Sequence, residues 1–168
     1  MAPKYLTVSD LAHACIPLDA SEEYDPERAK LWTRRLRHWA TLEIIPAAAK
    51  NRAGAGQHRL FDSEIVYMAA ILLRVAATGT SIAVIRRTAE ALQQNAKGEG
   101  KFTATWHAAV SGNDNKNYWF FINFIGEEEE IDIALLEGDY PPAPPDNLEP
   151  SILLYLSRLF ETIRITLE

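Results

Sequence analysis

The chain has 168 residues, of which 48% are hydrophobic, and a formal net charge of −6. This length can bury the core of one domain or of two small ones. The single cysteine, Cys15, excludes internal disulfides and multi-cysteine zinc sites. No apolar run reaches the roughly 18 residues of a membrane-spanning helix, and the N-terminus has no charged-then-apolar signal pattern, so we expect a cytoplasmic protein without a membrane partner.

Positive charge is concentrated in one segment of this acidic chain. Residues 27–98 contain 12 Lys+Arg and 5 Asp+Glu, whereas residues 1–26 contain 1 and 5, and residues 99–168 contain 4 and 13. Such asymmetry between segments points to a polyanionic partner such as nucleic acid. The alternative is that a basic surface simply balances an acidic one elsewhere in the fold.

The first predicted element is a short helix that begins after Thr7. Asp10 follows three residues later as a variant of the capping box, and Leu11 and Ala12 then face inward. An acidic loop covers residues 16–25. Asp25 as the N-cap and Pro26 at the first helical position predict a second helix over 26–42, which Pro46 terminates.

The second helix separates apolar from basic side chains. At 100° per residue, Trp32, Leu36 and Trp39 fall on one face. The opposite face carries Lys30, Arg34 and Arg37, with His38 beside them. Because a merely solvated helix would mix acids with bases on its outer face, this pattern favours a binding surface for an anion.

A basic hairpin over 50–61 and two further helices follow. Gly54 and Gly56 predict a tight tip. The next helix runs from Asp62 or Ser63 to about Thr78, with Gly79 after its end, and Ser81 caps the one after it. Four basic residues flank the hairpin tip: Lys50, Arg52, His58 and Arg59. The inward positions of the two helices are Ile65, Ala69, Leu72 and Ala76 in the first, and Ile82, Ile85, Ala89 and Leu92 in the second.

The second half has a different composition. Alternation predicts a strand over 101–110, a turn at 113–116, and strands over 117–125 and 131–136. The acidic run 127–130 is interpreted as a solvated turn, and the proline-rich 140–146 as a linker. A terminal helix is predicted from Glu149 and Pro150, and the aromatic run 118–121 forms a packed core or, alternatively, lines a pocket. The apolar stripe of the predicted terminal helix contains Ile152, Leu156, Leu159, Ile163 and Leu167.

Four segments of the first half together resemble the MerR-type winged-helix transcription regulators. RLRHWATLEIIP (35–46) is similar to the family's TIRYYERKGLLP, and GQHRLFDSEI (56–65) to GYRLYDEADL. LRVAATGTSIAVIRR (73–87) resembles IRRLRELGFSLEEIRR, and TVSDLA (7–12) resembles TIGELA. The match covers roughly residues 5–93. The chain departs from the family in three ways. The acidic loop before the second helix is longer than usual, Glu43 stands where the family has glycine, and the wing lacks the family's usual NGYR sequence.

The resemblance implies a dimeric DNA-binding regulator acting on a palindromic site, with helix 26–42 in the major groove and the wing 50–61 along the backbone. Lys30 and Arg34 are then the candidates for base edges. The candidates for phosphate are Arg37, His38, Arg52 and Arg59, with Lys50 and His58 beside them. Members of the family usually dimerise through a long antiparallel coiled-coil helix that follows the fourth helix of the DNA-binding domain. This chain has a predicted sheet at that place instead, so we expect the sheet and the terminal helix to form the homodimer interface.

The sequence therefore predicts an α+β protein: an N-terminal winged helix-turn-helix domain (1–96), then a small antiparallel sheet with a C-terminal dimerisation helix (97–168). The expected location is the cytoplasm, associated with the nucleoid. No nucleophile motif or metal-ligand spacing is present, so we expect no enzyme, cofactor or metal, and the sequence does not indicate a small-molecule effector. The alternative function is an adaptor that keeps the winged-helix fold and binds a partner protein through its acidic C-terminal module.

Overall fold

The computed structural model describes residues 5–15, 26–51, 58–125, 130–139 and 150–167, and these form six helices and six short strands. The predicted α+β class is confirmed. The chain divides into two compact units, 1–73 together with 162–168, and 74–161. The sequence predicts a boundary near residue 96, whereas this division falls inside a helix, after Leu73. Four predicted segments lie wholly or mostly outside the described residues: the acidic loop 16–25, the hairpin tip 52–57, the acidic run 127–130 and the linker 140–146.

The first unit contains two helices and a small antiparallel sheet. Strand β1 is Tyr5–Leu6, β2 is Ala49–Asn51 and β3 is His58–Asp62, and their order in the sheet is β1-β3-β2. Helix α1 spans Val8–Cys15 and α2 spans Pro26–Thr41. Helix α3, Ile65–Ala77, begins in this unit. The central strand β3 therefore pairs with both of its neighbours.

The start of α1 is the capping box that the sequence predicts. The Asp10 carboxylate accepts a hydrogen bond from the Thr7 backbone N–H at 2.8 Å, and the Thr7 hydroxyl accepts one from the Asp10 N–H at 3.3 Å. Leu11 and Ala12 then face the core, as expected, and are fully buried.

Helix α2 begins at Pro26 and ends within one residue of its predicted end. Its predicted apolar face is confirmed, because Trp32, Leu36 and Trp39 are all buried. The end is a Schellman turn, in which Glu43 adopts a φ of 58° and the Ile44 N–H donates to the Trp39 carbonyl at 2.9 Å. The helix thus stops at its own C-cap, before Pro46 is reached.

Helix α3 is buried all round over most of its length, since every residue from Val66 to Leu73 is buried. Ala69 and Leu72 face inward as predicted. Ile65 and Ala76 are only half-buried, because they lie near the two ends of the helix. Gly79 has a φ of 82°, which matches its predicted place after the helix.

The second unit begins with two helices, α4 at Ile82–Ala96 and α5 at Thr103–Ser111. The Ser81 hydroxyl caps α4 by accepting from the Val84 N–H at 3.3 Å, as predicted. The inward prediction fails for Ile82, which lies in the uncovered first turn and is 48% exposed. It holds for Ile85, Ala89 and Leu92, which are buried.

The predicted strand over 101–110 is wrong, because these residues form most of α5. Trp106 and Ala109 are three positions apart and both buried, which is helical rather than strand periodicity. The buried Asn95 fixes the start of the helix: its amide oxygen accepts from the Phe102 N–H at 2.7 Å. Gly112, with a φ of 62°, ends it. The Trp106 ring then packs edge-on against Phe160, with centroids 5.9 Å apart.

The second sheet confirms two predicted strands. Strand β4 is Tyr118–Ile125, β5 is Glu130–Glu137 and β6 is Pro150–Tyr155, arranged antiparallel in the order β5-β4-β6. Tyr118, Phe120 and Ile122 point from β4 into the core and are fully buried. The aromatic run 118–121 is therefore packed core on this side rather than the lining of a pocket.

The terminal helix starts later than predicted. Residues 150–155 pair with β4, with Ile152 opposite Ile122, and α6 spans Leu156–Leu167. The spacing of apolar residues within a segment gives no information about a strand partner 30 residues away. Here the pairing with that strand decides the conformation. The helical part of the predicted stripe is buried at Leu156, Leu159 and Ile163.

Candidate nucleic-acid interface

The outer face of α2 carries a row of exposed basic side chains. Lys30, Arg34 and Arg37 follow one another at spacings of four and three residues, and all three are exposed, as is His38. Since the opposite face is anchored by two tryptophans and a leucine, this helix cannot rotate its cations inward. The exposure predicted for these four residues is confirmed.

The charge on this face is largely uncompensated. Within the part of the chain that the structure describes, the side chains of Arg34, Arg37 and His38 have no hydrogen-bond or ion-pair partner. Lys30 differs, because its ammonium group pairs with Glu27 at 2.7 Å one turn earlier. Both members of this pair are more than two-thirds exposed, so the pair contributes little stability and exchanges readily with another anion.

The sequence interpretation missed Arg28, which lies four residues before Trp32 and so on the Trp32 side of α2 rather than on its outer face. Its guanidinium lies 5.9 Å from the centre of the Trp32 ring, which is a cation–π distance. The four-residue spacing from Arg28 to Trp32 on a helix was the signal for this contact.

Arg59 joins the hairpin to α2. Its Nη1 donates to the carbonyl oxygen of Ala40, in the last turn of the helix, and the side chain is half-buried. A cation at a helix C-terminus compensates the exposed carbonyls and the negative end of the helix dipole. Arg59 therefore has a structural task in addition to the phosphate contact that the sequence predicts.

A cleft of about 520 Å³ brings Arg37 and Arg59 together with the start of α1. The two arginines come from a helix and a strand, and residues at the start of α1 also line the cleft. The sequence predicts the two arginines but not the contribution of α1, because nothing local tells where that helix start lies. The lining residues are Thr7, Val8, Ser9, Arg37, Ala40, Thr41 and Arg59.

The hairpin strands place two basic residues directly opposite each other. Lys50 on β2 is the register partner of Arg59 on β3, and Asn51 is that of His58. Arg52 lies outside the described residues, as do the side chains of Lys50 and His58.

The described residues contain neither a metal-binding cluster nor a helix able to span a membrane. Among the described residues, no group of three or more His, Cys, Asp or Glu side chains is placed to hold a metal ion. No helix in the described ranges is both long and apolar enough to cross a membrane.

Comparison with known proteins returned no relative: no family model matches the chain, and no curated protein matches it significantly.

Proposed function

We propose that this protein is a dimeric, sequence-preferring DNA-binding transcriptional regulator of winged-helix type. The observation that carries the proposal is that Arg34 and Arg37, on the outer face of α2, are exposed and have no side-chain partner among the described residues. Arginines kept without carboxylate partners in a chain of net charge −6 favour a polyanionic ligand over a solvated surface.

Helix α2 has the dimensions that a major groove accepts. Its 16 residues give a rod about 24 Å long. Arg34 and Lys30, in its N-terminal half, are the side chains proposed to reach base edges, where arginine forks onto guanine. On binding, the Lys30 ammonium group would leave Glu27 and contact the DNA. Breaking this exposed ion pair costs little free energy.

The cleft between Arg37 and Arg59 is the proposed site for a backbone phosphate. Two guanidinium groups supply the charge, and the start of α1, which its own Asp10 carboxylate caps, borders the same cleft. His38 lies beside Arg37 on the helix surface. The β2–β3 pair, in which Lys50 is the register partner of Arg59, would extend these contacts along the same DNA strand. Arg52 and His58 are included as phosphate contacts from the sequence alone.

The turn after α2 supports the winged-helix assignment. Glu43 stands where the MerR-type pattern has a glycine, and it adopts a φ of 58°, the left-handed conformation that favours glycine. A glycine at this position would suit the same backbone conformation. This agreement complements the four sequence resemblances, and a palindromic operator read by a homodimer follows as part of the proposal.

The affinity for duplex DNA as a function of salt tests this function. For three or more phosphate contacts, we expect at least about a tenfold loss of affinity when the salt concentration rises threefold. The double variant Arg34→Glu, Arg37→Glu should not bind duplex and should keep the wild-type circular dichroism spectrum. Binding that is weak in both proteins and insensitive to salt would contradict the proposal.

The second candidate is the protein-interaction adaptor, and the exposed apolar residues of the second sheet favour it. Leu136 and Leu153 are each 40% exposed. An adaptor would bind DNA without site preference, and its partner protein would remain bound when Arg34 and Arg37 are reversed.

A further inference from the structure

Strand β5 is an edge of the second sheet. It pairs with β4 on one side and with no described strand on the other. Its eight residues include neither the proline nor the lysine that commonly protects an edge strand from pairing. The unpaired side borders a cavity of about 510 Å³, and the residues of β5 that line it are Ile131, Asp132 and Ile133.

The register with β4 shows which backbone groups of β5 point to this edge. The Gly138 N–H donates to the Asn117 carbonyl at 3.0 Å, and the register places these two residues directly opposite each other. In an antiparallel pair, residues bonded to the partner strand alternate with residues whose backbone groups point away from it. Counting back from Gly138 in steps of two, Asp132 bonds to β4. Ile131 and Ile133 therefore direct their N–H and C=O groups away from β4, to the open edge.

These outward backbone groups have no partner in the part of the chain that the structure describes. No described backbone or side-chain group donates a hydrogen bond to Ile131 or Ile133 on this side, and none accepts one from them. Because the two residues are two positions apart, their donors and acceptors repeat at the spacing at which the backbone of an added strand presents its own. The edge is therefore complementary to an extended peptide backbone.

Helix α4 forms the other wall of the cavity. Its lining residues are Arg87, Ala91, Gln94 and Asn95, which lie on one stripe of the helix. Arg87 and Asn95 are eight residues apart, which is about 12 Å along the helix axis. Since a strand rises about 3.3 Å per residue, a groove of this length accepts about four residues of an extended peptide.

Lys101 supplies a positive charge at one end of this groove. The Phe102 N–H donates to the Asn95 amide oxygen at 2.7 Å, which places Lys101 near the Asn95 end of the lining stripe. The Lys101 side chain is exposed and has no ion-pair partner among the described residues. Its ammonium group is therefore available to a carboxylate from outside.

The other charged lining residues are Arg87 and Asp132. Side chains alternate along a strand, so the Asp132 carboxylate lies on the opposite side of the sheet from the side chains of Ile131 and Ile133. The α4 side of the groove thus contributes positive charge only, which favours an acidic ligand in a chain of net charge −6.

We propose that this groove binds an extended peptide segment of a partner protein, which adds to β5 as a further strand and places an acidic side chain against Lys101. Main-chain hydrogen bonds to Ile131 and Ile133 supply affinity, while Lys101 and the half-buried Phe102 select the side chains. All lining residues belong to the second unit, so the proposal does not depend on DNA binding by α2.

Selection from a random octapeptide library displayed on phage, with the full chain as target, supplies the probe. We expect enrichment of peptides in which β-branched or aromatic residues alternate with polar ones, including an Asp or Glu. A full chain that enriches no peptide would overturn the proposal.

The variant Ile133→Pro tests the edge of β5. It removes one outward N–H, and proline is tolerated at an edge position whose N–H is not bonded within the sheet. Fluorescence anisotropy of the labelled peptide should show about tenfold weaker binding. Ile133→Val keeps the N–H and should bind as the wild type does, and both variants should keep the wild-type circular dichroism spectrum. Equal affinities of Ile133→Pro and the wild type would contradict strand addition.

Methylation of the peptide backbone tests the same hydrogen bonds with an unaltered protein. Alternate amides of an added strand face β5 and the others face away. Of two peptides that are N-methylated at odd or at even positions, one should therefore bind at least about tenfold more weakly than the other. Equal affinities of the two methylated peptides would overturn the proposal.

Reversing the charge of Lys101 tests the acidic side chain. Lys101→Glu should bind the selected peptide about fivefold more weakly, and it should prefer the peptide in which lysine replaces the acidic residue. Lys97→Glu is the matched control, because Lys97 is exposed but does not line the groove. Equal losses in the two variants would contradict the recognition of a carboxylate by Lys101.

Peptide binding and DNA binding are measured separately. The double variant Arg34→Glu, Arg37→Glu should lose duplex DNA and keep the peptide, whereas Ile133→Pro should lose the peptide and keep duplex DNA. The failure of one proposal is therefore distinguishable from the failure of the other.

Discussion

The guanidinium group of Arg59 donates a hydrogen bond to the carbonyl oxygen of Ala40 and so ties the middle of the hairpin strand to the last turn of α2. The two residues are 19 positions apart in the chain. Through this contact the two basic elements of the first unit hold a fixed relation, with Arg37 on the same cleft. A surface that is to read a rigid duplex needs such a relation, because its cations must match the spacing of phosphates.

Replacing Arg59 should therefore destabilise the fold as well as weaken DNA binding. Arg59→Met keeps the aliphatic stem and removes the donors, and we expect a loss of about 1–2 kcal/mol in the free energy of unfolding by denaturant titration. Arg37→Met, on the exposed and unpaired neighbour, should change it by less than about 0.5 kcal/mol. Equal effects of the two variants would show that the Ala40 contact contributes no stability.

Reversing the charge of Arg34 should abolish DNA binding for a local rather than a global reason. Arg34→Glu changes the net charge by −2, as does Arg86→Glu on the exposed surface of α4. If α2 lies in the groove, Arg34→Glu should lose at least about 2 kcal/mol of binding free energy. Arg86→Glu should lose only the small contribution of long-range electrostatic attraction. Fluorescence anisotropy on one labelled duplex measures both, and similar losses would argue against a specific role for α2.

Glu43→Gly should stabilise the first unit. A side chain at a φ of 58° strains the turn after α2, and glycine removes about 1–2 kcal/mol of that strain while adding 0.5–1 kcal/mol of unfolded-state entropy. We expect a net gain of about 0.5–1 kcal/mol and a higher melting temperature. Asn115→Gly is the matched control: its φ is 53°, but asparagine tolerates this region, so its gain should be smaller. A loss on Glu43→Gly would mean that the Glu43 side chain makes a contact that outweighs the strain.

The Tyr118–Asp114 hydrogen bond should make stability depend on acid. The phenol donates to the carboxylate and thereby lowers the pKa of Asp114 below its usual 3.8, while burial raises the pKa of Tyr118. A lowered carboxyl pKa gives stability that is present above pH 3.8 and is lost as the pH falls through the native value. Tyr118→Phe should flatten this acid limb of the melting temperature, as should Asp114→Asn. If the melting temperature falls in the same way at acid pH in the wild type and in both variants, the Tyr118–Asp114 hydrogen bond is not the source of the acid dependence.

The correct parts of the sequence prediction are those that short-range chemistry decides. The Thr7–Asp10 box, Pro26, Gly79 and Ser81 each act within one helical turn. The starts of α1, α2 and α4 and the end of α3 could therefore be placed from local residues. The exposure of Arg34 and Arg37 followed from the opposite apolar face in the same way.

The errors arise where a distant partner decides the conformation. Residues 150–155 have the apolar spacing of a helix, but they pair with β4. Residues 101–110 have the alternating polarity of a strand, but most of them form a helix whose start is fixed by a hydrogen bond to the Asn95 amide. The contact of Arg59 with Ala40, and the cleft with the start of α1, likewise depend on how the hairpin folds back. No local pattern encodes such contacts, so the candidate interface could be predicted as a list of cations but not as an arrangement.

Selection of bound fragments from a random duplex library tests DNA reading most directly. We predict enrichment of an inverted repeat by the wild type, with half-sites about one helical turn or a multiple of it apart. The Arg34→Glu, Arg37→Glu variant should enrich nothing from the same library. A wild-type protein that retains duplexes without any enriched sequence, or retains none at all, would contradict the assignment of this chain as a sequence-preferring regulator.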